Sequence, residues 1–150
     1  MPLLKEEDRE HLKELFASRL QDPVKIHFFT QHASPLTAPS HECQTCQSAG
    51  ELLEELSSLS DKITIQVHDL LTDAQEARDL GVDRIPALVY EGKNKGVLRF
   101  FGVPAGYEFA VVVEDLVDLS RGSTTLSQDT REQISGLQSP VHIKVLVTPT

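Results

Sequence analysis

The chain has 150 residues, a length that fits one full domain, or one domain with part of another, and that excludes two large independent cores. Apolar residues make up 39% of the chain and charged residues 25%, which is typical of globular proteins and not of disordered or disulfide-stapled chains. The 23 acidic and 14 basic residues give a formal charge of −9, which would repel a nucleic-acid backbone or an anionic membrane surface. We therefore expect neither nucleic acid nor a membrane as a partner.

The first 20 residues mix charged side chains with leucines. They lack the unbroken apolar stretch of a signal peptide and the acid-poor composition of a transit peptide. No later window approaches the roughly 18 to 20 apolar residues of a membrane span. We therefore expect a cytoplasmic protein.

Apolar and polar residues alternate along the chain with periods that predict a series of helices and strands. The predicted elements are a helix over 4–20, a strand over 24–30, a loop over 31–42, a helix over 43–59, a strand over 63–67, a short helix from Thr72 or Asp73 to about Leu80, a hairpin of strands over 87–90 and 96–101, and a helix over 106–120. This order predicts an α/β fold with a mixed sheet of parallel and antiparallel strands and helices on both faces.

The last part of the chain repeats the pattern of its beginning. A linker leads to a short helix capped by Ser127, and Pro140 then precedes an apolar strand over 141–147, as Pro23 precedes the first strand. We therefore predict one domain over 1–122, and over 123–150 a linker, a helix and the first strand of a truncated second unit. An apolar strand with no following element tends to pair with another chain, so we also expect a homodimer through this strand.

The two cysteines, Cys43 and Cys46, lie three positions apart at the start of the predicted second helix. The N–H groups of the first helical turn and the helix dipole stabilise an anion there, which favours the thiolate of the first cysteine. The second sulfur lies one turn further along, where it can attack a mixed disulfide. This spacing predicts a redox pair in which Cys43 attacks and Cys46 resolves.

Two other roles for the cysteine pair, zinc binding and a structural disulfide, have less support in the sequence. A zinc site needs two further ligands, which only the six histidines could supply, and His32 and His41 are the nearest in the loop. A structural disulfide is rare in the cytoplasm. His27 and His68 lie on predicted strands, and we expect them at the edge of the core or on the surface rather than as ligands. We therefore expect neither a metal nor a bound cofactor.

A proline opens the predicted hairpin, in the segment Gly81-Val82-Asp83-Arg84-Ile85-Pro86-Ala87. Proline at the head of a strand donates no hydrogen bond to the sheet, and an X-Pro bond can adopt the cis form. The order of a Cys-x-x-Cys helix, a β-α passage and a hydrophobic residue plus proline resembles the thioredoxin and glutaredoxin superfamily.

Three further segments resemble one family within this superfamily, the glutaredoxin-like protein disulfide oxidoreductases. These segments are Leu3-Leu4-Lys5-Glu6-Glu7-Asp8, the run from Phe100 to Phe109, and Val145-Leu146-Val147-Thr148-Pro149-Thr150. Those proteins carry two thioredoxin folds in tandem, so the chain resembles their N-terminal unit with the opening of the second. The resemblance implies that Cys43 is the nucleophile, that Cys46 is the resolving thiol, and that Pro86 is a cis proline facing them. It further implies that the backbone of Ile85 pairs with an extended protein substrate.

The neighbours of Cys43 set its expected acidity. Gln44 and Thr45 are neutral and Glu42 is anionic, whereas His41 would offset part of that charge when protonated. We therefore expect a modestly depressed pKa for Cys43 and a potential near the reducing end. Arg84 is the nearest cation by sequence, and we expect it to be a solvated loop charge. With no basic cluster for the glutathione carboxylates, protein substrates are favoured over glutathione.

The sequence thus predicts a thiol-disulfide oxidoreductase that exchanges disulfides with protein substrates and draws electrons from a donor of the thioredoxin-reductase type. Two alternatives stay open. One is a non-catalytic thioredoxin-fold module for binding or assembly. The other is a metal or iron-sulfur carrier that uses the same two cysteines.

Overall fold

The computed structural model describes residues 3–31 and 43–147, in which five helices and four strands follow one another. The predicted loop over 31–42 lies outside this part of the chain except for Gln31. The elements are α1 (Glu6–Arg19), β1 (Val24–Thr30), α2 (Cys46–Ser57), β2 (Ile63–Asp69), α3 (Ala74–Asp79), β3 (Ala87–Glu91), β4 (Leu98–Phe101), α4 (Tyr107–Arg121) and α5 (Gln128–Ser135).

The four strands form one mixed sheet in the order β2-β1-β3-β4. The central strand β1 runs parallel to β2, with Thr30 opposite Asp69, and antiparallel to β3, with Phe29 opposite Ala87. The carboxyl ends of β1 and β2 and the start of β3 therefore meet at one edge of the sheet. The predicted α/β class and the mixed sheet are confirmed.

Helices cover both faces of this sheet, and β1 contributes apolar side chains to the core on each face. Val24, Ile26 and Phe28 belong to the larger core cluster, together with buried residues of α1, α2 and α4. Phe29 belongs to a second, smaller cluster with Ala77 of α3. Lys25 and His27 share this second face with Phe29, so β1 is fully apolar only on the face that carries Val24, Ile26 and Phe28.

The helix ends follow local chemistry. Three acidic residues lie in the first turn of α1 and Arg19 in its last turn, which matches the helix dipole. Gly122 ends α4 in the left-handed conformation, at φ 71°, which a side chain would disfavour. The hydroxyl of Ser127 caps α5 by accepting a hydrogen bond from the Thr130 N–H, as predicted. No helix in the described part of the chain has the length and apolar character needed to cross a membrane.

The strand predicted over 141–147 is wrong. These residues have no regular structure, and their apolar side chains are exposed, Leu146 by 96%. A strand forms only where a neighbouring strand satisfies its N–H and C=O groups, and no strand of the described chain pairs with this segment. The segment therefore has the alternating sequence of a strand but lacks, in the described chain, the neighbouring strand that a β conformation requires.

Candidate active site

Cys43 and Cys46 are joined by a disulfide, with their Cα atoms 5.4 Å apart. Helix α2 begins at Cys46, three residues later than predicted. The Cys46 N–H donates to the Cys43 carbonyl at 3.3 Å, which closes a turn, and a helical hydrogen bond first reaches the Thr45 carbonyl, from the Ala49 N–H at 3.0 Å. Cys43 therefore lies in the turn ahead of the helix rather than within it.

The two cysteines differ in their exposure to solvent. Cys46 is 4% exposed and packs with the buried face of α2, whereas Cys43 is only partly buried. The Sγ atom of Cys43 lies 4.0 Å from the Thr45 hydroxyl, at the outer limit for a hydrogen bond to sulfur. A reactant arriving from solvent can therefore reach the first sulfur more easily than the second.

Gln31 connects the cysteine turn to the end of the central strand. Its side-chain oxygen Oε1 accepts a hydrogen bond from the Cys43 N–H at 3.0 Å. Sequence patterns did not single out this residue because it opens the predicted loop. Its position immediately after β1, at the sheet edge where α2 starts, is the signal that could have identified it.

The Ile85–Pro86 segment lies at the same edge of the sheet. Its peptide bond is cis, and β3 begins at the next residue, Ala87, opposite Phe29. The Gly102 N–H donates to the Pro86 carbonyl at 2.9 Å, which joins this segment to the chain after β4. The side chain of Ile85 packs against the smaller core cluster. The topology thus brings Cys43, Cys46, Ile85 and Pro86 to one edge of the sheet.

Arg84 is exposed, as predicted, but it is not isolated. Its guanidinium group donates to both carboxylate oxygens of Asp83, at 2.8 and 3.1 Å, and lies 5.3 Å from the centre of the Phe101 ring. The hydrogen bonds from Arg84 lower the pKa of Asp83. The Asp83 carboxylate therefore largely neutralises the positive charge beside the Ile85–Pro86 segment.

His27 and His68 do not lie on the surface or at the core edge, which corrects the prediction for them. They are 8% and 6% exposed, and the His27 Nδ1 and His68 Nε2 atoms lie 3.0 Å apart. The other nitrogen of His27 lies 3.0 Å from a Glu91 carboxylate oxygen. A polar side chain is stable in the interior when its hydrogen bonds are satisfied, and the shared contact satisfies one nitrogen of each ring while Glu91 satisfies the second nitrogen of His27.

Metal-ligating side chains do not gather in the parts of the chain that the structure covers: residues 3–31 and 43–147 contain no group of three or more His, Cys, Asp or Glu placed to hold an ion. His32 and His41, the histidines considered as zinc ligands, lie outside those residues. Within the described structure, both cysteine sulfurs are engaged with each other. The geometry therefore supports redox chemistry at this pair.

The chain is similar in sequence to thioredoxins and to a component of a peroxide-reducing enzyme. Residues 38–114 match the family model for the thioredoxin domain. A probable thioredoxin of Methanothermobacter marburgensis is 30% identical over 96 residues, which cover 63% of this chain and 98% of that protein. One component of the alkyl hydroperoxide reductase of Pseudomonas aeruginosa is 33% identical over 87 residues, which cover 58% of this chain and 15% of that protein.

A solved structure shows the same fold. The protein disulfide oxidoreductase of Aeropyrum pernix superimposes with a TM-score of 0.72 at 24% identity, over 89% of this chain and 55% of that one. This chain thus spans about half the length of that oxidoreductase. The family match contains the disulfide-bonded Cys43-Gln44-Thr45-Cys46 motif at the start of a helix. The chain belongs to the thioredoxin-domain family and is a thiol-disulfide oxidoreductase of that fold.

Proposed function

We propose that this protein exchanges disulfides with protein substrates, with Cys43 as the attacking thiol and Cys46 as the resolving thiol. The observation that carries the proposal is the difference in exposure between the two sulfurs of one disulfide: Cys43 is partly exposed and Cys46 is 4% exposed. A protein disulfide, which is bulky, can approach only the outer sulfur. The inner sulfur then lies within reach of a mixed disulfide formed there.

In the reducing direction, the Cys43 thiolate attacks one sulfur of the substrate disulfide and releases the other as a thiolate. Cys46 loses its proton to solvent and attacks Cys43 Sγ. The second substrate sulfur leaves as a thiolate, and the Cys43–Cys46 disulfide forms. Two electrons pass from the dithiol to the substrate, and the two substrate thiolates take up protons.

The main chain of Ile85 is proposed to bind the substrate segment beside its disulfide. The cis Ile85–Pro86 segment precedes β3 at the edge where the cysteine turn lies, and an extended peptide can add to such a segment by main-chain hydrogen bonds. Because main-chain pairing reads few side chains, the proposal includes a broad range of protein substrates. The ion pair of Arg84 with Asp83 leaves little free positive charge for glutathione carboxylates, which favours proteins over that tripeptide.

The proposed electron donor is a protein of the thioredoxin-reductase type. The match to a component of alkyl hydroperoxide reductase favours a second candidate role, in which this chain is a dithiol unit of a larger reductase assembly. The cytoplasmic location, the tandem arrangement and the division at residue 122 stay predictions. The likeness to the Aeropyrum pernix oxidoreductase, of which this chain covers 55%, supports the tandem arrangement.

The exposed segment over 141–147 supports the proposed homodimer. Its five apolar residues are at least 62% exposed, and pairing of this segment with a second copy would cover them. Light scattering on the full chain should give twice the chain mass, and Val145→Glu should restore the monomer mass. A monomer at micromolar concentration in the unmodified chain would contradict this part of the proposal.

Trapping of mixed disulfides tests the roles of the two cysteines. Cys46→Ser should accumulate a covalent adduct with a reducible protein substrate such as insulin, because the resolving thiol is missing. Cys43→Ser should accumulate little, since its remaining sulfur is buried. Equal adduct formation by both variants would contradict the assignment of the attacking thiol, and adducts with neither would favour the binding module. Stoichiometric metal in the purified protein would favour the carrier instead.

A further inference from the structure

One side chain outside the Cys-x-x-Cys motif makes a direct contact with it. Gln31 follows the last residue of β1, and its Oε1 atom accepts the hydrogen bond of the Cys43 N–H at 3.0 Å, twelve positions further along the chain. Both residues are partly buried. The contact fixes the main chain of the outer cysteine to the central strand of the sheet.

We propose that Gln31 is a positioning residue for the dithiol, which holds Cys43 beside Cys46 when the disulfide is open. This inference rests on the proposed function of the pair. Cys46 is the first residue of α2 and lies on the buried face of that helix. Cys43 lies ahead of the helix, and in the described structure its main chain is joined to its surroundings by the Gln31 contact and by the longer 3.3 Å turn contact to Cys46.

The contact matters most in the reduced protein. In the oxidised protein the S–S bond itself keeps the two sulfurs together. When two glutathione thiols reduce this bond, their protons pass to the two cysteine sulfurs, glutathione disulfide forms, and the covalent restraint is lost. How readily the bond re-forms then depends on the effective concentration of one thiol at the other. An anchor on Cys43 raises this concentration and therefore stabilises the disulfide against reduction.

The chemistry of the side chain fits this role. An amide oxygen accepts the N–H without adding charge beside the thiolate. A carboxylate at the same place would also accept the N–H, but its negative charge would raise the pKa of Cys43. Glutamine thus anchors the cysteine without making its thiolate harder to form.

Two variants separate these effects. Gln31→Met keeps the length of the side chain and removes the acceptor, whereas Gln31→Glu keeps an acceptor and adds a charge. Gln47→Met is the matched control, because Gln47 is exposed on α2 and its amide donates to Glu51, one turn further along that helix, at 2.8 Å. The measurements are the equilibrium constant of the pair in glutathione buffers and the pH profile of Cys43 alkylation.

We expect Gln31→Met to lower the effective concentration of the thiols about fivefold, the factor that corresponds to one neutral hydrogen bond. Gln31→Glu should retain the equilibrium constant within about twofold and shift the alkylation midpoint to higher pH. Gln47→Met should match the unmodified protein in both measurements. If Gln31→Met is too unstable to measure, Gln31→Asn, which keeps the amide but is one carbon too short to reach the Cys43 N–H, should show the same fall in the equilibrium constant, and an unchanged constant there would overturn the proposal.

An unchanged equilibrium constant in Gln31→Met would overturn the proposal, as would an equal loss in Gln31→Met and Gln31→Glu. The glutathione equilibrium does not depend on turnover with protein substrates. A chain that fails to reduce insulin would refute the proposed function and would still give this equilibrium constant, so the two failures are distinguishable.

Discussion

His27 of β1 and His68 of β2 share a hydrogen bond in the interior, with the Nδ1 atom of one 3.0 Å from the Nε2 atom of the other. His68 also stacks on Phe29, at 4.6 Å between ring centres. This contact holds one proton between the two nitrogens, so one ring donates and the other accepts. Burial and the neighbouring charge of His27 lower the pKa of His68, against smaller opposite effects of Asp73 and Glu76.

This pair predicts a loss of stability in mild acid. The unfolded chain takes up a proton on His68 as the pH falls through about 6.5, whereas the folded chain, with its lower pKa, does not. The stabilisation is therefore complete above pH 6.5 and is lost below it, with a slope of up to about 1.4 kcal/mol per pH unit for one proton. Denaturant unfolding at several pH values between 5 and 8 measures this slope.

His68→Gln should flatten the slope, because its amide can still donate to His27 but does not titrate. His142→Gln, in the exposed segment near the end of the chain, should leave the slope unchanged. The carboxylates whose pKa is lowered by hydrogen bonds, Glu55, Glu91 and Glu114, add their own loss below about pH 4.5, outside this window. Equal slopes in the two variants would contradict the assignment to His68.

Ser120 predicts a second effect on stability. Its hydroxyl is buried at the end of α4, accepts from the Gln21 and Asp22 N–H groups at 2.8 and 2.9 Å, and donates to the Asp22 carbonyl at 2.5 Å. Ser120→Ala leaves these main-chain groups without that partner, so we expect a loss of about 2 kcal/mol in the free energy of unfolding. Ser58→Ala, which removes an exposed hydroxyl that follows α2 and donates to the Glu55 carbonyl, should cost less than about 0.5 kcal/mol. Similar losses in both variants would show that the buried network adds nothing.

Thr45 predicts a change in thiol acidity. Its hydroxyl lies 4.0 Å from Cys43 Sγ and can donate to the thiolate once the disulfide opens. Thr45→Val keeps the shape and removes this donor, so the pKa of Cys43 should rise by about half a unit, a modest shift because the site is open to solvent. Thr45→Ser should retain the original value. The pH dependence of alkylation measures both, and a midpoint unchanged in Thr45→Val would exclude the hydroxyl as a donor.

The sequence predicts the elements of the sheet closely where local patterns agree with burial. The bounds of β1 match the predicted strand. Pro23 and the prolines of the following loop mark the two ends of a run of strand-forming residues. The redox pair is equally visible, since it lies in one contiguous motif.

Contacts between distant residues are not visible in this way. The partner of Cys43 at Gln31 and the pairing of His27 with His68 depend on which strands become neighbours, and neither residue type carries a periodic signal. In the segment over 141–147, by contrast, the sequence predicts a strand that the structure does not contain. Its alternation predicts a strand, yet a strand also needs a partner, which no local pattern specifies.

We infer that the Cys43–Cys46 pair passes electrons to protein disulfides. The most direct measurement is the rate of insulin reduction with dithiothreitol as the electron source, compared between the unmodified chain and Cys43→Ser. We expect the unmodified chain to accelerate the reaction well above dithiothreitol alone and Cys43→Ser to give only the background rate. Equal acceleration by both chains would contradict the claim.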